Sequence, residues 1–290
     1  FTVTLTDVDE FNMGATSDSD GTTNTVVENA ADNTAVGITA SASDADATAS
    51  TAYTMTIDTG ACDGWFDIGT TDGIVRVDGT NEIDYETVQS CDVTITSTSS
   101  DDSTTTTASL SIAITDHDEF DVGAPSDSDT DANTIAEDIA NGQPVQITAS
   151  SSDADGTTNT ITYAITAESC TGAFTIGEST GVVTVLDTAD INRESGETCT
   201  LEVTATSSDT STAATTFTVT LTDVDEFNMG ATSDSDATAN TVVENAADNT
   251  AVGITASASD ADATATTAYT MSIDTGACDG WFDIGTTDGI

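Results

Sequence analysis

Apolar and polar side chains alternate in short runs along the chain, and nowhere do apolar positions recur at the three-to-four spacing of a helix. Runs such as FTVTL at 1–5 and 217–221 or SLSIAI at 109–114 read as half-buried strands rich in Thr, Val and Ile. Between residues 7 and 115 the pattern predicts strands at 25–28, 35–42, 53–57, 65–68, 74–77, 91–97 and 109–114, with Thr71-Asp72-Gly73 as a turn. Side chains alternate across a strand, so Val93 and Ile95 face a core and the Thr between them faces water. A second set follows at 145–149, 161–165, 174–176, 182–185, 201–205 and 217–221. Seven short strands in roughly 108 residues, with turn residues between them, predict tandem antiparallel seven-strand Greek-key β-sandwiches, an all-β fold.

Three of the strand patterns end in the same acidic tail: Thr6-Asp-Val-Asp-Glu-Phe11, Thr115-Asp-His-Asp-Glu-Phe120 and Thr222-Asp-Val-Asp-Glu-Phe227. The copies start 109 and then 107 residues apart, about one sandwich. Residues 217–290 repeat 1–74 with four substitutions, at positions 237, 239, 266 and 272, so the larger period is 216 residues, a two-domain unit. The expected organisation is a last strand of a preceding domain at 1–6, complete domains at 7–115 and 116–222, and an incomplete one at 223–290.

Charge sharpens this picture. The chain carries 52 Asp and Glu against Arg76 and Arg193, a net charge of -50, which excludes nucleic acid and anionic membrane surfaces as partners. Salt adaptation scatters carboxylates over a surface, whereas here many recur in the same short motifs, which favours bound divalent cations. No apolar run is long enough to cross a membrane as a helix. Cys62 and Cys91 are 29 residues apart, as are Cys170 and Cys199, and Cys278 repeats Cys62. Fixed spacing within each domain suggests disulfides Cys62–Cys91 and Cys170–Cys199 and an oxidising compartment. Each would add about 3.5 kcal/mol by loop closure. Paired buried thiols or a two-Cys metal site are the alternatives.

In each domain four motifs occur in order: Val27-Glu28-Asn29, Asp44-Ala45-Asp46, Ile83-Asp84-Tyr85-Glu86 and Asp116-His117-Asp118-Glu119, then Ala136-Glu137-Asp138, Asp153-Ala154-Asp155, Ile191-Asn192-Arg193-Glu194 and Asp223-Val224-Asp225-Glu226. Together they resemble the cadherin repeat, in particular the cadherin-like domains of large microbial surface and adhesin proteins. The resemblance implies a cadherin/Ig-like sandwich, Ca2+ at the seams between successive domains, and an extracellular, cell-surface location. The ligands it implies are Asp7, Asp9, Glu10, Asp44, Asp46 and Asp101 at the first seam. At the second they are Glu28, Asp84, Glu86, Asp116, Asp118, Glu119, Asp153, Asp155 and Asp209. At the third they are Glu137, Glu194, Asp223, Asp225, Glu226, Asp260 and Asp262. Asn192 stands where the first domain has Asp84, and Phe11, Phe120 and Phe227 replace the family's final Asn; both departures point to fewer ligands.

No enzyme is expected. The single His, His117, is replaced by Val8 and Val224 in the other tails, and no general base is available to activate a Ser or Thr. Trp65 and Trp281 are expected to pack in cores rather than bind sugar. The Ser/Asp-rich stretches at 11–25, 120–134 and 227–241 miss the EF-hand spacing and read as solvated loops, with weak cation sites as the alternative. The resulting functional expectation is a structural, calcium-stiffened shaft of an extracellular fibre or filament. Its partners would be other copies of the repeat unit within a longer chain, with lateral self-association. The stalk of a calcium-dependent adhesin in cell adhesion is the alternative.

Overall fold

A computed structural model describes every residue except 7, 47, 102, 103, 263 and 275. Its first eight strands are β1 (Ser17–Asp18), β2 (Thr25–Val27), β3 (Ala35–Ser41), β4 (Thr51–Ile57), β5 (Phe66–Ile68), β6 (Ile74–Val77), β7 (Ser90–Ser99) and β8 (Thr105–Thr115). They form two four-stranded sheets, ordered β1-β3-β6-β5 and β2-β8-β7-β4. Val36, Ile38, Val75 and Val77 from one sheet and Val93, Ile95, Ile112 and Ile114 from the other share one core, so the sheets pack as a sandwich. Burial alternates residue by residue along β7, as the Val-Thr-Ile-Thr pattern requires.

The second eight repeat the arrangement: β9 (Ser126–Asp127), β10 (Thr134–Ala136), β11 (Pro144–Ser150), β12 (Ile161–Glu168), β13 (Phe174–Ile176), β14 (Val182–Val185), β15 (Thr198–Ser207) and β16 (Thr212–Thr222). Their sheets are β10-β16-β15-β12 and β13-β14-β11-β9 around a core that includes Val145, Ile147, Leu201, Val203 and Val219. One pairing in each sandwich is parallel: Thr25–Val27 lies along Ala113–Thr115, and Thr134–Ala136 along Thr220–Thr222. That register sets the site, because it brings the residue after β2 or β10 alongside the start of the acidic tail.

A bulge interrupts the β3–β6 register between Ala35 and Thr39. Gly37 sits there at φ +83, and a Cβ would lie 2.4 Å from the Thr23 carbonyl oxygen. Gln146 takes the equivalent place in β11 at φ 62.

The stretches expected to be solvated loops are ordered by a single carboxylate. Asp18 Oδ1 accepts from the Asp20 and Thr39 N–H groups, both at 3.0 Å. Asp127 does the same for Asp129 and Thr148, and Asp234 for Asp236 and Thr255. Thr16, buried, hydrogen-bonds Ser97 and Thr106. These loops therefore carry the short strands β1, β9 and β17 (Ser233–Asp234), the last paired with β18 (Ala256–Ser257). The expectation of solvated loops missed this because an Asp-turn leaves no apolar signature.

Both expected disulfides are present, Cys62–Cys91 with Cα atoms 6.1 Å apart and Cys170–Cys199 with 5.5 Å. Cys278 is unpaired among the described residues. Residues 1–6 form no strand, and Phe1, Val3 and Leu5 are exposed. Trp65 is 5% exposed, as expected for a core residue, but Trp281, expected in a core too, is 71% exposed.

By chain contacts the molecule divides into two compact units. One comprises Phe1–Val122 with Ser152–Thr160 and Ser207–Ser211; the other comprises Gly123–Ser151, Ile161–Thr206 and Thr212–Ile290.

Candidate metal centre

The tails after β8 and β16 leave their strands with backbone N–H groups that no ladder takes, and in all three tails buried carboxylates accept backbone N–H groups. In the first unit Glu28 follows β2 directly, and its own N–H donates to the Thr115 carbonyl at 3.0 Å. Its side chain is 1% exposed. Oε2 accepts from Tyr85 N–H and Oε1 from His117 N–H, each at 2.7 Å. Asp155, also 1% exposed, accepts two later tail N–H groups through Oδ1, from Glu119 at 3.1 Å and Phe120 at 3.2 Å. Asp46 holds the corresponding pair with both oxygens, Oδ1 accepting from Glu10 at 3.2 Å and Oδ2 from Phe11 at 3.0 Å. In the second unit Glu137 accepts from Arg193 and Val224 at 2.7 Å, and Asp262 Oδ1 from Glu226 and Phe227 at 3.1 and 3.2 Å. The Phe at the end of each tail thus contributes its N–H to the anchoring.

With the backbone gripped, the side chains converge. In the first unit Asp9, Asp46 and Asp101 each bring one carboxylate oxygen within 4.8 Å of the others, as do Glu28, Asp84 and Glu86, and Asp118, Asp155 and Asp209. In the second unit the same holds for Glu137, Glu194 and Asp223, and for Glu194, Glu226 and Asp262. Every member belongs to the ligand set read from the sequence.

The remaining expected residues stand beside these groups. Asp116 Oδ2 accepts from the Thr157 N–H at 3.1 Å and from its hydroxyl, and Asp223 Oδ2 takes both groups of Thr264 in the same way. Asp44, Asp153 and Asp260 accept the N–H two residues on, from Asp46, Asp155 and Asp262. Glu119 accepts from Asn29 at 3.4 Å. Glu10 and Asp225 are exposed and join none of the groups among the described residues. Asp7 lies outside the described residues. The hydroxyl partners Thr157 and Thr264 were not anticipated; only their place two residues after the Asp-Ala-Asp turn could have marked them.

Residues 132–222 match the Cadherin family, described as the cadherin domain. The repeats of this chain are cadherin-like. Mouse cadherin-23 EC22-24 is similar in fold, with a TM-score of 0.69 and 21% identity over 95% of this chain and 87% of that one. Protocadherin gamma B2 domains 1–5 superpose with a TM-score of 0.72 and 16% identity, covering 98% of this chain and 53% of that one. Drosophila N-cadherin EC1-4 gives 0.56 and 21%, covering 72% and 49%. The chain spans about half the length of these last two structures. Among curated protein sequences none matches.

Within the cadherin-like repeats the electrostatics are one-sided. Arg76 is paired with Asp72 at 2.8 Å and Arg193 with Glu197 at 3.0 Å, each four residues away in sequence. Lost hydration raises the Asp118 carboxyl above its usual range, and the charges of Asp209, Asp155, Asp153 and Asp121 raise it further. Lost hydration raises Glu86 as well, with Glu28 adding to it. It raises Glu226 too, aided by Glu137, Glu194 and Asp262. Asp153 is lowered, chiefly by the Ser207 hydroxyl.

The donor set fits a hard divalent cation. Asp44 Oδ2, Asp116 Oδ1, Asp153 Oδ2 and Asp155 Oδ2 are buried without a hydrogen-bond partner. Orphaned buried carboxylate oxygens are costly, and calcium takes about six to eight such oxygens.

Proposed function

We propose that this chain is a stretch of a calcium-stiffened tandem-repeat shaft in an extracellular fibre, built of modules at 7–115, 116–222 and 223–290. Calcium would be held between the first and second modules by Glu28, Asp84, Glu86, Asp116, Asp118, Asp153, Asp155 and Asp209. Between the second and third, Glu137, Glu194, Asp223, Glu226 and Asp262 would hold it. Bound there, the ion would supply positive charge that the two arginines do not, since Arg76 is paired with Asp72 and Arg193 with Glu197. Without it the like charges repel and the tail is held by hydrogen bonds alone.

Asp155 carries the reading. It is nearly fully buried, one oxygen grips the tail backbone, and the other faces no donor while Asp118 and Asp209 crowd it. A carboxylate used only for anchoring needs no such company. The extracellular placement is supported by similarity to protocadherin gamma B2 and gamma B4 structures, which are of extracellular domains. Lateral self-association is supported by similarity to a protocadherin gammaB7 EC3-6 cis-dimer, and that similarity equally favours the second reading, the stalk of a calcium-dependent adhesin.

Calcium titration of the metal-free chain tests the proposal. Binding should raise the melting temperature and lengthen the largest dimension seen by solution scattering, since a jointed string bends and a stiffened one does not. Unchanged melting and scattering between EDTA and millimolar calcium would refute it.

A further inference from the structure

Two motifs vary together along the chain. The Asp-Ala-Asp turn ends in Ala47, Gly156 and Ala263 in its three copies. The turn that carries the later Glu reads Ile83-Asp84-Tyr85-Glu86 in the first module and Ile191-Asn192-Arg193-Glu194 in the second. A module with Tyr in one motif has Ala in the other, and the module with Arg has Gly.

In the first unit Tyr85 and Gly156 meet. A Cβ on residue 156 would lie 2.5 Å from both Cδ1 and Cε1 of the Tyr85 ring and 2.8 Å from Oε1 of Glu86. Ordinary carbon contacts begin at about 3.5 Å, so one of the three groups would have to move. Gly156 is not among the residues with positive φ, so the backbone does not require glycine there. What requires it is room. The ring is poorly placed to yield, because it packs against the first core and the Tyr85 N–H is held by Glu28 at 2.7 Å. Gly21 is the contrasting case: nothing lies within 4 Å of its Cβ position, and the repeat carries Ala237 in its place.

The geometry points to a fit code between successive modules: a face bearing Tyr85 seats a module whose Asp-Ala-Asp turn ends in glycine and rejects one whose turn ends in alanine. A first-type module placed after another first-type module would drive an alanine methyl into the tyrosine ring. Two first-type modules therefore cannot be neighbours, and this gives the 216-residue period a steric reason that simple duplication does not. The inference rests on reading 7–115 and 116–222 as successive modules, and it does not depend on calcium.

The test is a double-mutant cycle in the 1–290 chain, comparing wild type, Gly156→Ala, Tyr85→Ala, Tyr85→Ala/Gly156→Ala and Tyr85→Arg/Gly156→Ala, with Gly21→Ala as control. Amide exchange of the 115–122 segment is followed by mass spectrometry in EDTA and again with calcium, whose affinity is titrated directly. Gly156→Ala should speed exchange about tenfold in EDTA and weaken calcium binding to a similar degree, the scale of an overpacked contact. Gly21→Ala should do neither, and the Gly156→Ala effect should vanish once residue 85 is Ala or Arg. Exchange in Gly156→Ala equal to that in Gly21→Ala overturns the code, as does an effect that persists without the tyrosine ring. Coupling that persists in EDTA when no variant binds calcium upholds the code and removes the calcium reading alone.

Discussion

Glu28 and Asp155 both anchor the 116–120 tail, but only Asp155 leaves one carboxylate oxygen without any hydrogen-bond partner. Both oxygens of Glu28 accept a backbone N–H, whereas Asp155 uses Oδ1 for two and leaves Oδ2 without a partner. Amide substitutions therefore distinguish a residue that must accept at both oxygens from one that needs only Oδ1 to hold the tail. Glu28→Gln sets an NH2 group against a backbone N–H and strands a buried donor, a loss of about 1–3 kcal/mol. The first sandwich should melt earlier in EDTA as well as in calcium. Asp155→Asn keeps an accepting oxygen and can turn its NH2 toward Asp118 and Asp209. It should melt no lower than wild type in EDTA, yet gain far less from calcium. Calorimetry of both variants under both conditions checks the pair; a drop for Asp155→Asn in EDTA equal to that for Glu28→Gln would mean that Asp155 only anchors.

At the scale of elements, one sequence meets two fates. Phe217, Val219 and Leu221 are buried in β16, while the identical Phe1, Val3 and Leu5 are exposed and unpaired. The alternation fixes which side chains can share a face, but a strand forms only where a neighbour completes its ladder. This is why the strands at 35–41, 74–77 and 90–99 could be read closely from pattern, and the two-residue strands β1 and β9 could not: their pairing is set by Asp18 and Asp127. The acidic site was legible in part for the same reason. Carboxylates that recur at fixed motif positions were recognisable, but the task of Glu28 in holding two N–H groups depends on the parallel β2–β8 pairing, which no local pattern announces. Trp65 and Trp281 give this a readout. One is buried and the other exposed, so acrylamide should quench about half of the native fluorescence readily. Trp281→Phe should remove that quenchable, red-shifted component, whereas Trp65→Phe should leave it; equal quenching of both residues would contradict the described packing.

For the whole molecule, a net charge of -50 makes stability a function of what neutralises it. Glu86, Asp118, Glu119 and Glu226 are all raised above their ordinary range, each chiefly by lost hydration and then by neighbouring carboxylates. A raised carboxyl binds its proton more tightly folded than unfolded. Its contribution is present below the ordinary carboxylate range and is lost as pH rises through the raised value. Asp20 and Asp72 are lowered, Asp20 first by the Thr22 N–H and Asp72 first by Arg76, and they act in the opposite sense and at more acid pH. In EDTA, then, the melting temperature should climb as pH falls from about 7.5 toward 5, and decline again once the lowered acids begin to protonate. On the calcium proposal the upper limb should reverse, because an ion held by the deprotonated oxygens competes with protons for them. In calcium the melting temperature should fall as pH drops over that same interval. Added NaCl should lift the EDTA curve most at its alkaline end, where repulsion is greatest. Melting curves at half-unit pH steps, with and without calcium, decide the matter by the sign of one slope. An EDTA curve that rises with pH between 5 and 7.5 would mean that the clustered carboxylates already have their positive partner within the protein, and that no cation is needed to hold these modules together.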